Sequence, residues 1–439
     1  MSTSSSARPP NFAPPLVAPG KFDLGGLLRE GDWIVCGQAA SEPLTLTRKL
    51  VAECPAGLAV TVFIGATFSV TFDGRTPERM RFASYGALGH AALLADRGLL
   101  DILPERYSLL ADAFRRGVIP ADVVLLQLAP GLDGGQPSLG LSNDYAIDAA
   151  RRARVVIAEW NTAVPRTGGA DLPDDIRIDH WVAAEQGPQQ LPAREPPPLE
   201  RAIAAHVAGV VPDGATLQSG IGSLPDAAFT HLGSHRRLGI HSGVLGDVAA
   251  RLMRDGVVTN CGKGIDTGVS VTNTVAGTEA LYEWVHANPA VAVRASTYTH
   301  DAAVLARLQK FHSINSALQV DLSGQVNCEA FGGRQRGGIG GLLDFSRAAR
   351  ASSDGGRAIT VLPATADQGH QSRIVPGLQG NPVTLGRADV DLVITEFGVA
   401  DLRNATLEQR ARRLIAIAAP EFRETLERDW RASGQRSKP

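Results

Sequence analysis

The feature that most constrains this chain is an alternation that runs twice. Short β-branched runs at Trp33–Gly37, Val60–Ile64, Val123–Leu128 and Arg154–Glu159 are separated by longer amphipathic segments such as Leu44–Glu53 and Ala87–Gly98. Strands linked through helices pair in parallel, with the helices covering both sheet faces. The stretch "EQGPQQLPAREPPPLE" (185–200) interrupts the series with Pro and Gln, and proline-rich segments stay extended. The alternation then restarts. A helix is expected over Ala202–Val211, a strand over Thr216–Gln218, a helix over Leu224–Leu232 and a strand over Leu238–His241. Further strands are expected at Val291–Ala295, Ala317–Asp321, Ile359–Leu362 and Leu392–Thr395. Two α/β halves of similar size follow, and the cleft between them is the natural ligand site. The expected boundaries are a disordered Ser/Pro-rich tail over 1–20, an N-terminal domain over 21–188, a linker over 189–200 and a C-terminal domain over 201–439.

Bulk properties narrow the partners. A chain of 439 residues exceeds one ordinary core. A net charge of −2 advertises neither nucleic acid nor a membrane surface as partner. Four cysteines without CxxC spacing fit a reducing cytoplasm and suggest neither a disulfide framework nor a metal site. No apolar run approaches membrane-spanning length, so a soluble cytoplasmic protein is expected.

Three turns carry chemistry. "LQSGIGSLPDAAF" (217–229) sets Gly220 and Gly222 between a strand and a helix, where backbone can approach a phosphate or an oxyanion closely. The same glycines also suit an ordinary tight turn. "GGRQRGGIGGLLDF" (332–345) joins six glycines, among them Gly338, Gly340 and Gly341, to Arg334 and Arg336. It reads as a flexible basic loop suited to phosphate groups. "LGIHSGVLGD" (238–247) ends a strand, turns through His241-Ser242-Gly243 and opens a helix at Val248–Arg254. That is where open α/β sheets present chemistry.

These stretches, with "GLSNDYAIDAAR" (140–151), "INSALQVDLSGQVN" (314–327), "QSRIVP" (371–376) and "VDLVITEFGVADLRN" (390–404), resemble the acetyl-CoA hydrolase/4-hydroxybutyrate CoA-transferase family of class I CoA-transferases. The resemblance implies two related open α/β domains with mostly parallel sheets and an active site at their interface. It implies coenzyme A thioesters and a small carboxylic acid as substrates, no tightly bound cofactor, no metal, and a homodimer or higher homo-oligomer. The glycine turns and Arg334 and Arg336 would hold the coenzyme A.

The pattern breaks at one position. Family members carry a catalytic glutamate where "IHSGV" has Gly243. That glutamate relays the acyl group through an anhydride and a glutamyl-CoA thioester. Gly243 would then become part of the acyl pocket, and another carboxylate would take over. Glu42 is the first choice, following the strand-like "DWIVCG" and opening a helix, with Ser41 as N-cap and Pro43 in the first turn. The helix dipole there would keep it ionised, although that same dipole favours a merely structural glutamate. Glu329, expected to pair with Arg334 or Arg336, and Glu396, expected to pair with Arg403, rank below it. Asp344 reads as a helix cap or a buried acceptor. His300 lies near where relatives place an asparagine beside the thioester carbonyl, and an imidazole N–H can replace that amide donor. His241 is either a donor to substrate or a core histidine. Asn143 lies in a polar turn near the cleft. The expected activity is CoA transfer on a short-chain or dicarboxylic acyl-CoA, with hydrolysis and non-catalytic thioester binding as alternatives.

Overall fold

The structure, a computed structural model, describes residues 12–73, 75–191, 194–220 and 222–433. Two eight-stranded sheets organise it. The first contains β1 (Leu16–Val17), β2 (Trp33–Cys36), β3 (Val60–Phe63), β4 (Met80–Ser84), β5 (Leu100–Ile102), β6 (Val123–Leu128), β7 (Val155–Trp160) and β8 (His180–Ala183). Their order is β1-β8-β7-β6-β2-β3-β4-β5, and every pairing is parallel. Strand β6, "VVLLQL", is buried along its whole length, as a central parallel strand covered on both faces must be.

The second sheet is built from β9 (Thr216–Ser219), β10 (Gly239–Leu245), β11 (Ser270–Val275), β12 (Val291–Val293), β13 (Phe311–Ser316) and three later strands at Arg357–Val361, Leu392–Thr395 and Gly398–Asp401. The order is β12-β11-β10-β9-β13, followed by those three in turn. All pairs are parallel except the last. Each sheet reverses direction once, at β2 between β6 and β3 and at β9 between β10 and β13. In open α/β sheets the crevice at such a reversal, beyond the carboxyl ends of the strands, receives ligands. Gln38 follows β2 and Gly220 follows β9, so the topology aims both reversals at one place.

Several expectations are corrected. The expected tail over 1–20 falls partly outside the described residues (1–11), but Leu16 and Val17 pair in register with Trp181 and Val182. The ring of Phe12 lies 5.3 Å from that of Trp181. The expected linker also donates Pro198 to a helix, Pro198–Val210, with proline in its first turn, where a missing N–H costs nothing. The turn expected at His241-Ser242-Gly243 is strand. β10 continues to Leu245 because β11 supplies partners for Ser242, Val244 and Leu245. On its other edge β10 pairs with β9 only at Gly239 and Ile240.

Candidate active site between the sheets

Where the two reversals face each other lies a cavity of about 260 Å³. Gln38, Tyr85 and Tyr107 of the first domain form one wall, and Gly220, Gly243, Asn273 and His300 of the second form the other. The segment Gly337–Gly341 closes it. This segment is docked rather than free. Ala87 N–H donates to Gly337 O at 2.9 Å and Tyr107 N–H to Gly340 O at 2.9 Å. A side chain on Gly338 would stand 2.7 Å from Gly86 Cα, so glycine is what lets the two domains touch here. The two arginines of the loop meet Asp96 of the first domain, Arg336 at 2.9 Å and Arg334 at 3.6 Å. That Asp96 attraction replaces the expected pairing with Glu329, whose Oε1 instead accepts from Thr384 Oγ1 at 2.8 Å. Arg336 lines the cavity and Arg334 does not.

His300 is the centre of the second wall. Its ring packs 4.5 Å from that of Phe345 and 4.9 Å from that of Tyr107. A Cβ built on Gly243 would stand 3.5 Å from His300 Nε2, and one on Gly341 only 2.6 Å from it. The imidazole therefore rests in the space that two glycines leave. Burial, reinforced by His241, lowers its titration to about 3, so the ring is neutral at physiological pH. Nδ1 lies 2.8 Å from Thr299 Oγ1. The Thr299 hydroxyl also reaches Ala295 O at 3.3 Å; when it turns to the nearer Nδ1, the ring proton resides on Nε2, facing Gly243. A neutral N–H beside a reacting carbonyl can stabilise developing negative charge without itself becoming an acid.

A chain of hydrogen bonds stiffens the opposite wall. Tyr85 Oη donates to Gln38 Oε1 at 2.7 Å, Gln38 Nε2 to Tyr107 Oη at 2.6 Å, and Tyr107 Oη to Asn273 Oδ1 at 3.0 Å. Asn273 donates in turn to the carbonyls of Asn143 and Arg294. Gln38, Tyr107 and Asn273 are cavity residues that motif reading missed. The strand "SVTNTV" is fully buried despite its polar residues, and a buried asparagine in a central strand was the available signal.

The remaining predicted residues lie elsewhere. Glu42 is not brought to the cavity. It is 2 % exposed, and its Oε1 accepts from Ser69 Oγ at 2.9 Å and Thr47 Oγ1 at 3.0 Å. The helix after β2 spans Leu44–Glu53 with Pro43 as N-cap, so Ser41 caps nothing. Glu159 takes the first-turn amides of that helix, accepting from Thr45 N at 2.8 Å and Leu46 N at 3.2 Å. The dipole thus serves Glu159, and burial raises the Glu42 carboxyl above its ordinary range. His241 sits behind the wall with Nε2 at 3.0 Å from Thr299 O, and burial lowers it to about 4. Asn143 joins the domains through its backbone, its N–H donating to Asn273 O at 3.1 Å. Glu396 Oε2 accepts from Ala364 N, and Arg403 pairs with Asp391 in place of Glu396. Asp344 is an interdomain acceptor for Arg106 and Ser108. Gly222 lines a side hollow shared with Gly220.

Among the described residues no Asp or Glu lines the main cavity, and the cysteine that does, Cys328, has a thiol pushed up by burial to about 12. No cluster of three or more His, Cys, Asp or Glu residues suited to a metal occurs among the described residues. No helix there is long and apolar enough to cross a membrane.

Two open α/β sheets meeting at their reversals, with a glycine segment bridging them, define a class of two-domain α/β proteins with an interdomain ligand site. Residues 22–182 match the acetyl-CoA hydrolase/transferase N-terminal domain and residues 277–430 the corresponding C-terminal domain. The chain belongs to the acetyl-CoA hydrolase/transferase family. It is 41% identical over 338 residues to the 4-hydroxybutyrate coenzyme A transferase of Clostridium kluyveri, covering 76% of this chain and 78% of that protein. Its structure is similar to that of RipA from Yersinia pestis, with TM-score 0.87, 31% identity and coverage of 96% and 98% of the two chains. It is also similar to the 4-hydroxybutyrate CoA-transferase of Porphyromonas gingivalis, with TM-score 0.78, 31% identity and coverage of 95% and 97%.

Proposed function

We propose that this protein transfers coenzyme A between short-chain carboxylic acids, and that the incoming acid itself attacks the thioester. Family membership and the cited CoA-transferase relatives support the transfer. The observation that carries the direct attack is a cavity wall in which no described Asp or Glu stands and in which Gly243 and His300 take the place of a carboxylate. A nucleophile must meet the carbonyl carbon near van der Waals contact. Glu42, held by Ser69 and Thr47 and raised in titration, is poorly prepared for that.

In this reading the acceptor carboxylate lies in the cavity that Gly243 and His300 line together, in front of the imidazole, and forms a C–O bond to the thioester carbonyl. The tetrahedral oxyanion faces His300 Nε2–H and the amino end of the helix Leu342–Ala351, capped at Gly341. Both favour negative charge. Collapse breaks the C–S bond, leaving a mixed anhydride and coenzyme A thiolate. The thiolate then attacks the acceptor's carbonyl and expels the original acid as its carboxylate, so no net proton moves.

Initial-rate kinetics test this. Direct attack requires both substrates together, giving intersecting double-reciprocal lines and no protein adduct by mass spectrometry. Parallel lines with a coenzyme A-sized adduct on Glu42, lost in Glu42→Gln, would overturn it in favour of a covalent relay.

A further inference from the structure

We propose that His241 is a positioning residue: through the carbonyl of Thr299 it holds the short helix that delivers His300, and so aims the imidazole N–H at the reacting carbonyl. The inference rests on the role given to His300 above. His241 lies on β10, is fully buried and does not line the main cavity. Its Nε2 stands 3.0 Å from Thr299 O. A carbonyl oxygen only accepts, so the ring proton resides on Nε2 and His241 is the donor. Burial first, then Lys263, lowers its titration to about 4, which leaves one ring proton at neutral pH and Nδ1 bare. That Nδ1 finds no partner among the described residues. An aliphatic side chain would fill this volume without leaving a buried acceptor unpaired, so packing alone does not account for an imidazole here.

The helix it holds, Ser296–Thr299, is four residues long. So short a helix has little stability of its own, and its last carbonyls have no amide within it to accept from. Outside contacts must therefore set its direction. Tyr298 supplies one, its Oη donating to Asp266 at 2.8 Å, with the Arg294 guanidinium 4.5 Å from its ring. His241 supplies the other from the sheet. Thr299 is then placed to act on the next residue. Ala295 O already accepts from Tyr298 N at 2.9 Å and Thr299 N at 3.0 Å, so both of its lone pairs are engaged. The Thr299 hydroxyl proton is left for His300 Nδ1 at 2.8 Å. Residues two apart on a strand project to the same face, so Gly243 follows His241 on one side of β10. A Cβ on Gly243 would stand 3.5 Å from His300 Nε2. One strand therefore sets both the helix that carries the imidazole and the glycine that its N–H faces.

The test reads the tautomer of His300 and, separately, its use in turnover. In protein made with histidine labelled with the heavy nitrogen isotope, ring-nitrogen NMR shifts tell a protonated nitrogen from a bare one. The signal lost in His300→Ala assigns this ring. The wild type should show His300 protonated on Nε2. His241→Phe, which keeps a ring and removes the N–H, and Thr299→Val, which keeps the volume and removes the hydroxyl, should each leave a mixture of tautomers. Thr299→Ser should keep the wild-type form. In initial-rate assays His241→Phe should lower kcat about 10- to 100-fold with KM for acyl-CoA little changed. His241→Gln, whose amide can still donate to Thr299 O, should recover most of the rate. In a His300→Ala background His241→Phe should cost little more, because residues that act through one group are not additive. A His300 tautomer unaltered in either His241→Phe or Thr299→Val would overturn the proposal, as would an equal loss of kcat from His241→Phe in the two backgrounds. A His300→Ala enzyme as fast as the parent would instead sink the donor role of His300 on which it stands.

Discussion

At the scale of single residues, Gly243 decides what the cavity can do. A methyl there would make ordinary contacts, 3.5 Å to His300 Nε2 and 3.6 Å to Phe345 Cε2, whereas a longer side chain would have to pass the imidazole. Gly243→Ala should therefore fold normally while reducing the space left for the acceptor. The expected outcome is a several-fold rise in KM for the acid with KM for acyl-CoA little changed. Equal rises in both would remove Gly243 from the acceptor's position. The absence of a glutamate at 243 is legible in the sequence. What fills its place is not, because His300 reaches it from 57 residues away in the chain through a path set by the fold.

At the scale of elements, strongly patterned segments were legible and polar buried ones were not. The helix Leu44–Glu53 and the strands Val123–Leu128 and Leu392–Thr395 have the bounds their periodicity predicts. Strands β11, "SVTNTV", and β13, "FHSINS", carry too many polar residues to read as core, yet both are almost entirely buried. Their asparagines find partners far along the chain, Asn273 at Tyr107 and Asn315 at Gln218. The same reason hid the partner of helix Leu44–Glu53. Glu159 lies 114 residues from Thr45, whose N–H it accepts. Burial raises Glu159 from 4.5 to about 7, against the two amide hydrogen bonds. Between those pH values the folded state keeps a proton that the unfolded chain has lost, so this group's contribution to stability declines as pH rises through that window. Glu159→Gln keeps an acceptor for the amides and removes the titration. Its melting temperature relative to wild type should be lowest near pH 5 and climb toward pH 8. A flat difference across that range would refute the assignment.

At the scale of the molecule, the two sheets form one mechanical unit. A single apolar cluster runs from Val35 and Phe63 of the first sheet to Ile240 and Ile394 of the second. The polar seam across it is concentrated at Asn273, 1 % exposed, which accepts from Tyr107 and donates to the carbonyls of Asn143 and Arg294. Continuity of core favours unfolding in one step, whereas domains joined only by a linker would melt separately. Calorimetry of the wild type should accordingly give one transition. Asn273→Ala removes three buried partners at once, and unsatisfied buried groups cost about 1–3 kcal/mol each. The variant should lose on the order of 3 kcal/mol or more and weaken acyl-CoA binding, since Tyr107 and Gln38 lose the anchor that fixes the opposite wall. Asn273→Asp restores an acceptor for Tyr107 but cannot donate to the two carbonyls. It should therefore fall no nearer to wild type than the alanine variant in stability, while recovering part of the affinity. Two resolved transitions in the wild type, or an Asn273→Ala protein as stable as the parent, would mean that the seam is not what unites the domains.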